Sequence, residues 1–361
     1  MTSIDYSDLA DRLISASTKQ KITKDLETNH IPEREFRTLI NLPVLNAIHN
    51  NANCIEKYKD ESSINAVLDT IDLAEIYANV DKLEQANTNP DLQYDDFVVK
   101  ELLQYFKHKF FKWVNKPSCT TCGNDNNVHD KGASRFNPAD PNPNNVSIIE
   151  YYQCFQCGAN LHFSRINNPV SLLRTREGRC GEWVNCFLLI LQALIGEDKD
   201  RIRYVWNHED HVWCEYYSYG LKRWVHLDPC EAVFDEPLLY CNNWGKKMSF
   251  VIGFNQTYII DLSKKYITEE KQIPKVTVTD VKKLNKLIKF YNSKKQEAYY
   301  KIQYQLLNNE RDALMKVYND IILRQNQERI KQRTTATPSS QIPIGRQTGS
   351  SEWTKARGED G

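Results

Sequence analysis

The stretch REGRCGEWVNCFLLILQALI, residues 176–195, decides the fold, because it joins a reactive side chain to a strongly apolar segment. Gly178 and Gly181 flank Cys180, and the apolar residues that follow predict a buried helix that begins near the cysteine. A thiol at a helix N-terminus meets the positive end of the helix dipole, which favours the thiolate. Cys180 is therefore a candidate nucleophile, and the alternative is a small hydrophobic residue of the core.

A thiolate nucleophile needs a base and a third group that orients the base. Both candidates lie downstream: His211 begins the run HVWCE, and Asp228 ends the run VHLD. His208 and His226 are rival bases, but His208 is predicted in a turn and His226 has no carboxylate opposite it in the predicted strand pairing. We therefore prefer His211 as the base and Asp228 as its orienting carboxylate.

The alternating pattern of the intervening residues predicts a hairpin. Strands over 211–217 and 222–228, with a turn at 218–221, place His211 directly opposite Asp228, their Cβ atoms about 5 Å apart. A slip of one residue would destroy this arrangement. The other cross-strand pairs predicted on the same face are Trp213 with His226 and Glu215 with Trp224.

Four of the ten cysteines form two C-x-x-C-G knuckles, in which the glycine allows a tight turn that points both thiolates at one ion. The 31 residues between the pairs exceed the common spacing of about 15–20, but an insertion can loop out. Four thiolates suit one structural zinc ion, and free or redox-active thiols are the alternative. His129 and His162 lie nearby and are not expected to bind it. The predicted ligands are Cys119, Cys122, Cys154 and Cys157.

The composition is that of an ordinary globular protein, with 40% hydrophobic and 26% charged residues in 361. The 47 basic and 47 acidic residues cancel, which argues against general nucleic-acid binding. The first residues do not resemble a secretory signal, and the longest apolar run, 186–195, is too short to span a bilayer. We therefore expect no membrane insertion, and cysteines that bind metal rather than form disulfides.

Periodicity and composition divide the chain into five predicted regions. Residues 4–26 carry an apolar stripe at helical spacing, and residues 123–147, rich in Asn, Asp and Pro, are predicted to be an irregular insertion. The regions are an N-terminal helical region (1–90), a helix plus the four-cysteine zinc-binding subdomain (91–170), a catalytic core (171–278), a C-terminal helical region (279–333) and a disordered tail (334–361).

The order of these motifs resembles the cytoplasmic peptide:N-glycanase family, in its short fungal form, within the transglutaminase-like superfamily. The two knuckles precede RTREGRCGEW, RYVWNHEDHVWCE, RWVHLDPCE and NWGKKMSF, and the resemblance is close over residues 90–265. It implies an α+β fold in which a transglutaminase-like (papain-like) cysteine-hydrolase core carries a four-cysteine zinc-binding subdomain and flanking helices.

For the site, the resemblance implies Cys180 as nucleophile, His211 as general base and acid, and Asp228 as the residue that orients His211. It also implies that Glu231, in the run DPCE, contacts substrate. Tryptophans can stack on sugar or peptide, although each more often packs in a core. Those that we take as candidates for substrate contact are Trp213 and Trp224.

The activity that the resemblance implies is that of a peptide-N4-(N-acetyl-beta-glucosaminyl)asparagine amidase. Such an enzyme cleaves the amide bond between Asn and the first GlcNAc on misfolded or denatured glycoproteins, in endoplasmic-reticulum-associated degradation, with one structural zinc per chain. The expected location is the cytoplasm and also the nucleus. The expected partner of residues 4–26 is a proteasome-shuttle ubiquitin receptor. Two alternatives stay open: a transglutaminase or cysteine protease that uses the same triad, and a non-catalytic adaptor stapled by zinc.

Overall fold

The chain forms two compact units in the computed structural model. The first unit comprises Met1–Ile55, Asn207–Glu209 and Lys247–Thr335, and the second comprises Glu56–Trp206, Asp210–Lys246 and Ala336–Gly361. The structure describes residues 6–124, 126–195, 200–306, 322–325, 327–328 and 345–361.

Helices and strands alternate along the chain. The helices are α1 (Tyr6–Thr28), α2 (Glu33–Ile40), α3 (Pro43–Asn51), α4 (Glu61–Leu68), α5 (Leu73–Gln85), α6 (Tyr94–Tyr105), α7 (Pro169–Thr175), α8 (Cys180–Ile195), α9 (Ser263–Tyr266), α10 (Val281–Leu306) and α11 (Ser351–Ala356). The strands are β1 (Lys112–Trp113), β2 (Val128–Arg135), β3 (Val146–Cys154), β4 (Asn160–Ile166), β5 (Glu177–Gly178), β6 (Ile202–Asn207), β7 (His211–Ser218), β8 (Arg223–Asp228), β9 (Val233–Phe234), β10 (Val251–Phe254) and β11 (Ile259–Asp261).

Short polar side chains fix the starts of several helices in the second unit. Asp60, Asp72 and Asn168 each accept a hydrogen bond from a backbone N–H in the first turn of α4, α5 and α7. Each cap satisfies a donor that a helix N-terminus otherwise leaves unpaired.

Helix α8 is the core of the second unit. Residues 183–191 are all buried, as a helix that is apolar around its whole circumference must be. Helices α4, α6 and α7 and strand β7 pack against it. Strands β6, β7, β8 and β9 are hydrogen-bonded in that order, so the sheet lies beside the helix that begins at Cys180.

A separate three-stranded antiparallel sheet, in the order β2-β3-β4, carries the cysteine knuckles. Its small core consists of two of the cysteines with Val128, Tyr152 and Phe163. Strand β2 occupies part of the segment 123–147, so the prediction of an irregular insertion is wrong there. Pairing with β3 makes residues 128–135 a strand although their sequence has no apolar alternation.

In the first unit, α1 packs on α10. The helix predicted over 4–26 is observed as Tyr6–Thr28, and residues 4 and 5 lie outside the described residues. Ile22 is buried, whereas Leu9 and Leu13 are 52% and 63% exposed. The later turns of α1 therefore belong to the core, and its earlier turns expose apolar side chains.

Residues 247–278, predicted as part of the catalytic core, lie in the first unit. The antiparallel pair β10–β11 is joined to α10 because Asn292 bonds both backbone groups of Ile259, at 2.6 and 2.9 Å. These bonds hold the segment against α10 within the first unit.

The predicted disorder of 334–361 is wrong for residues 345–361, and residues 334–344 lie outside the described part of the chain. Residues 345–361 contain helix α11, and the buried side chains there include Arg346, Thr348 and Glu359. Its low apolar content suggested disorder, but buried ion pairs and the packing of Trp353 on Trp113 hold it in place.

None of the helices in the described ranges combines the length and apolar character needed to cross a membrane.

Candidate active site

Cys180 is the first residue of α8, as the sequence predicts. The chain reaches it through β5, which pairs in parallel with β1 so that Trp113 aligns with Gly178. A glycine is needed at 178, because a Cβ there would lie 2.3 Å from the Cβ of Glu182. Cys180 itself is 9% exposed. This close turn holds the thiol at the edge of the buried helix.

Two ion pairs fix the start of α8 to the sheet that carries the knuckles. Arg165, on β4, donates to both carboxylate oxygens of Glu182, at 2.7 and 3.0 Å. Arg179 donates to both oxygens of Glu150 on β3, at 2.9 and 2.6 Å, and its backbone N–H donates to Glu182 at 3.1 Å. Sequence analysis missed these residues, and the only signal was the three-residue spacing of Arg179 and Glu182 at a helix start.

His211 and Asp228 are brought together. Nε2 of His211 lies 3.0 Å from Oδ2 of Asp228, and both side chains are fully buried. The carboxylate also accepts hydrogen bonds from the Tyr240 hydroxyl, at 3.0 Å, and from the backbone N–H of Cys230, at 2.9 Å. These bonds fix the carboxylate, which in turn fixes the ring. Tyr240 was not predicted, because nothing in its sequence neighbourhood signals this role.

The predicted register of the hairpin is wrong by two residues. Glu215 lies opposite His226 and Tyr217 opposite Trp224, whereas the predicted turn pairs Glu215 with Trp224. The strands end at Ser218 and resume at Arg223, so the four-residue turn lies one position further along than predicted. A shift of two keeps every side chain on its predicted face, since the side-chain period of a strand is two. His211 therefore still reaches Asp228, although the two are not directly paired.

The His211 ring is neutral at pH 7. Burial lowers its pKa well below the usual range, the positive charges of Arg346, Lys246 and Arg357 act in the same direction, and Glu359 opposes them. Because a carboxylate only accepts hydrogen bonds, the ring proton lies on Nε2. Nδ1 then carries a lone pair, and among the described residues it has no hydrogen-bond partner. The nitrogen is thus able to accept a proton.

The resting state of Cys180 differs from the expectation of a thiolate. Burial raises the pKa of its thiol, while the charges of Arg346, Arg357 and Arg165 favour the anion and Asp210 disfavours it. The cost of desolvating the anion outweighs the effect of the nearby cations here. Cys180 and His211 are therefore a neutral thiol and a neutral imidazole in the structure.

The rival histidines occupy other environments. Nε2 of His226 lies 2.7 Å from the Tyr240 hydroxyl, and its Nδ1 accepts the backbone N–H of Glu236 at 3.2 Å. Both ring nitrogens of His226 are therefore engaged, which suits a structural role. Contrary to prediction, a carboxylate does lie opposite it, that of Glu215, but this group pairs with Arg203 at 2.6 Å. His208 lies in the turn after β6, as predicted.

Trp213 and Trp224 are packed in the protein interior. Trp213 is fully buried and stacks on Tyr240 with 4.3 Å between ring centroids. Trp224 is 4% exposed, and the Arg203 guanidinium lies 3.8 Å from the centre of its ring. A ring that stacks on a ligand must offer a face to solvent, and neither does. The packing corresponds to the core role that sequence analysis gave as the alternative.

Glu231 is buried, and both carboxylate oxygens have partners. The Thr348 hydroxyl and backbone N–H donate to Oε1 at 2.5 and 3.2 Å, and the Gln347 backbone N–H donates to Oε2 at 3.3 Å. Lys107 lies 3.2 Å from Oε2. Glu231 lies three residues after Asp228 in sequence, and the C-terminal segment covers its carboxylate.

The four knuckle cysteines form a group placed to hold one metal ion, as predicted. Their sulfur atoms all lie within 4.8 Å of one another, and two of the pairs are 3.5 and 3.6 Å apart. Sulfurs bound tetrahedrally at about 2.3 Å from one ion would be about 3.8 Å apart, so the group fits that geometry. Gly123 and Gly158 adopt φ of 69° and 75°, which explains the glycine in each knuckle. Neither His129 nor His162 is in the group.

The α+β fold, the cysteine at a helix start and the buried histidine–aspartate pair define a transglutaminase-like thiol hydrolase. Family models agree: that of the transglutaminase-like superfamily matches residues 133–229, and that of the Rad4 transglutaminase-like domain matches residues 193–316. The predicted fold class is therefore confirmed.

Curated relatives narrow the class to one family. The chain is 48% identical to the peptide-N(4)-(N-acetyl-beta-glucosaminyl)asparagine amidase of Candida albicans, over 100% of this chain and 97% of the relative. It is 48% identical to the amidase of the same name from Debaryomyces hansenii, over 99% and 97%. The match to that of Saccharomyces cerevisiae is 40%, over 84% and 82%. The chain belongs to this amidase family, and the resemblance drawn from its motifs is confirmed.

Proposed function

We propose that the chain hydrolyses the amide bond between an asparagine side chain and the first N-acetylglucosamine of an N-linked glycan, which converts the asparagine to aspartate. The observation that carries the proposal is the buried His211–Asp228 pair, 3.0 Å apart, in a chain whose nucleophile candidate heads the central helix. Membership of the amidase family supplies the substrate class.

The reaction begins with proton transfer from the Cys180 thiol to Nδ1 of His211, the ring nitrogen that has a free lone pair. The thiolate attacks the carbonyl carbon of the asparagine side chain and forms a tetrahedral intermediate. The imidazolium then donates its proton to the glycosylamine nitrogen as the C–N bond breaks, which leaves a thioester. His211 next takes a proton from water, which attacks the thioester and releases aspartate and the free thiol.

Asp228 keeps the base in the correct form throughout. Its carboxylate holds the Nε2 proton, so Nδ1 is free to accept a proton from the thiol and to return it to the leaving nitrogen. The same carboxylate stabilises the imidazolium that forms in the first step. This accounts for a buried acid whose oxygens also bond Tyr240 and Cys230.

Glycan release from a denatured glycopeptide tests the proposal. Both products are weighed by mass spectrometry after reaction in ¹⁸O-labelled water. The expected peptide carries aspartate with one labelled oxygen, and the expected sugar retains both core GlcNAc residues. Cys180→Ala should lose conversion, whereas Cys186→Ala, a matched change six residues along the same helix, should keep it. Retained conversion in Cys180→Ala, or incorporation of an amine into glutamine, would contradict the amidase mechanism.

The substrate is a misfolded or denatured glycoprotein, met in the cytoplasm and also in the nucleus during endoplasmic-reticulum-associated degradation. None of the ten cysteines forms a disulfide bond, which suits a reducing compartment. The metal held by the knuckles is one structural zinc ion, because four thiolates are its usual closed ligand set and leave no open coordination position. Glu231 contacts substrate. This contact requires the residues of the C-terminal segment that cover Glu231 to move away from it.

The N-terminal helix docks onto a proteasome-shuttle ubiquitin receptor. Leu9 and Leu13 are exposed one turn apart, while Ile22 is buried, so the first turns of α1 offer an apolar face that the later turns do not. This partner would bring the amidase to substrates destined for degradation.

A further inference from the structure

The C-terminal segment, residues 345–361, is part of the second unit, which also contains Cys180, His211 and Asp228. Its backbone is tied at both ends, since Gly345 donates to the carbonyl of Asn243 and Arg346 donates to the carbonyl of Glu359, each at 2.8 Å. Gly345 has φ of 76°, and a Cβ there would lie 2.6 Å from the Asp360 carbonyl oxygen. The segment is therefore a shaped part of the fold.

Arg346 packs on two tryptophans, one close in the strand pairing to Cys180 and the other in contact with His211. Its guanidinium is 4.7 Å from the ring centre of Trp113 and 5.3 Å from that of Trp244. Trp113 aligns with Gly178, two residues before Cys180, and Trp244 packs on the His211 ring with centroids 5.1 Å apart. The cation thus touches the aromatic side chains that flank the nucleophile and the base.

The Arg346 side chain is fully buried and only partly paired. It donates to Glu359 at 2.5 Å and to Thr348 at 3.2 Å, and it lies 3.7 Å from Glu231. Its Nη2 has no hydrogen-bond partner among the described residues. Burial of a cation is costly unless its charge is used or compensated. Two carboxylates hold this cation beside the site, and one of its amino groups stays available.

Resting on the proposed thiol chemistry, we infer that Arg346 is a positioning residue that stabilises negative charge at Cys180, and that residues 345–361 form a wall of the active site. The charge first resides on the thiolate and then on the oxygen of the tetrahedral intermediate. A buried cation stabilises both more strongly than a solvated one would, because the effective dielectric constant is low.

The charges around Cys180 favour this role. The positive groups that act on it are Arg346, Arg357 and Arg165, and the opposing one is Asp210, which is exposed and paired with Arg357. Two of the three cations come from the C-terminal segment. The same two act on His211, together with Lys246 and Glu359, so one segment sets the electrostatics of both reacting groups.

The test measures the pKa of the Cys180 thiol in the full-length, metal-loaded protein. The rate of iodoacetamide labelling at Cys180 is followed by peptide mass spectrometry across pH. Arg346→Gln removes the cation and should raise the thiol pKa by about one unit, with a roughly tenfold slower labelling at pH 7. Glu359→Gln removes a compensating anion and should shift the pKa in the opposite direction. Arg346→Lys keeps the charge and should restore most of the wild-type value.

Arg346→Gln and Glu359→Gln should shift the thiol pKa of Cys180 in opposite directions. Misfolding would not do this, so the pair of variants distinguishes an electrostatic effect from structural damage. Arg223→Gln, which breaks the comparable Arg223–Asp235 ion pair away from Cys180, is the matched control and should leave the thiol pKa unchanged. In activity, both limbs of the pH–rate profile of Arg346→Gln should move to higher pH, since loss of a cation raises the pKa of both groups.

An unchanged thiol pKa in Arg346→Gln would overturn the inference, as would faster deglycosylation, the result expected if the segment merely obstructs Glu231. The labelling experiment needs no glycan. If only the amidase proposal fails, the Cys180 thiol pKa will shift as expected in Arg346→Gln but no glycan will be released by the wild-type protein. If only the inference fails, the wild-type protein will release glycan but the thiol pKa will not shift in Arg346→Gln.

Discussion

Arg165 and Glu182 join the sheet that carries the cysteine knuckles to helix α8 through two parallel hydrogen bonds of 2.7 and 3.0 Å. Glu182 lies two residues after Cys180, and its carboxylate also accepts a hydrogen bond from the backbone N–H of Arg179, the residue before Cys180. The orientation of the thiol therefore depends on a sheet that contributes no reacting group. This relationship gives the predicted zinc site a physical connection to catalysis.

Neutralising this carboxylate should weaken both fold and activity. Glu182→Gln leaves Arg165 with only its longer, 3.5 Å contact to Glu150, and because the Arg165 side chain is about a quarter exposed, we expect a loss of about 2 kcal/mol in the free energy of unfolding. Urea denaturation measures it. The rate of glycan release should fall further than the change in stability explains, because the start of α8 is released. Glu33→Gln, in the exposed pair with Arg37, should change stability by no more than about 0.5 kcal/mol.

Removing the metal from the cysteine knuckles should abolish activity, although the knuckles contribute no reacting group. We expect one zinc per chain by elemental analysis, and Cys119→Ser or Cys154→Ser to lose both the metal and the activity. The loss follows because strands β3 and β4 supply Glu150 and Arg165 to the start of α8. Purified active protein without zinc would contradict the assignment.

Acid should destabilise the protein partly through His211. The folded-state pKa of this ring lies well below the unfolded value of 6.5, so the unfolded chain binds a proton that the folded one does not as pH falls below about 6.5. Stability is thus lost on the acid side, at up to about 1.4 kcal/mol per pH unit for this group. His211→Gln should show a shallower decline between pH 7 and 5 in denaturation series. Identical slopes in the two proteins would mean that the ring is protonated when folded.

Changes on the first turns of α1 should affect partner binding alone. Leu9→Asp with Leu13→Asp should abolish capture of the ubiquitin receptor and leave glycopeptide hydrolysis unchanged, because both side chains are exposed. Ile22→Ala, at a buried position of the same helix, should instead cost about 2–4 kcal/mol of stability. If the Leu9 and Leu13 changes lower the melting temperature as much as Ile22→Ala does, the helix only packs on its own core.

Sequence alone predicted the parts of the site that local chemistry determines. The helix that begins at Cys180, the face shared by His211 and Asp228, and the cysteine knuckles all follow from spacing and period. The register of the hairpin did not follow, because the turn signal at Ser218–Leu221 fits two loop positions one residue apart. Among the other features that escaped prediction are the long-range ion pairs, which leave no periodic pattern in the sequence.

The C-terminal segment is the clearest example. Residues 345–361 are polar, so composition predicted disorder, yet Arg346 and Glu359 are buried partners. Trp213 is an example of the opposite error. It lies on the same strand face as His211, which suggested that it contacts sugar, but it stacks on Tyr240 and lies in the core. Neither outcome can be derived from one segment alone, since each depends on what lies against it.

The last prediction concerns the tautomer of the base. In Asp228→Asn, the amide can donate a hydrogen bond to Nε2 of His211, which would place the ring proton on Nδ1, where it cannot accept the thiol proton. We expect glycan release to fall by about 10³–10⁴-fold with the fold retained. Tyr240→Phe removes one hydrogen bond to the same carboxylate, at 3.0 Å, and leaves the tautomer intact, so it should cost only about tenfold. Rates come from mass spectrometry of a denatured glycopeptide, and folding from thermal denaturation. Equal losses in the two variants would show that Asp228 serves only to hold the ring in place.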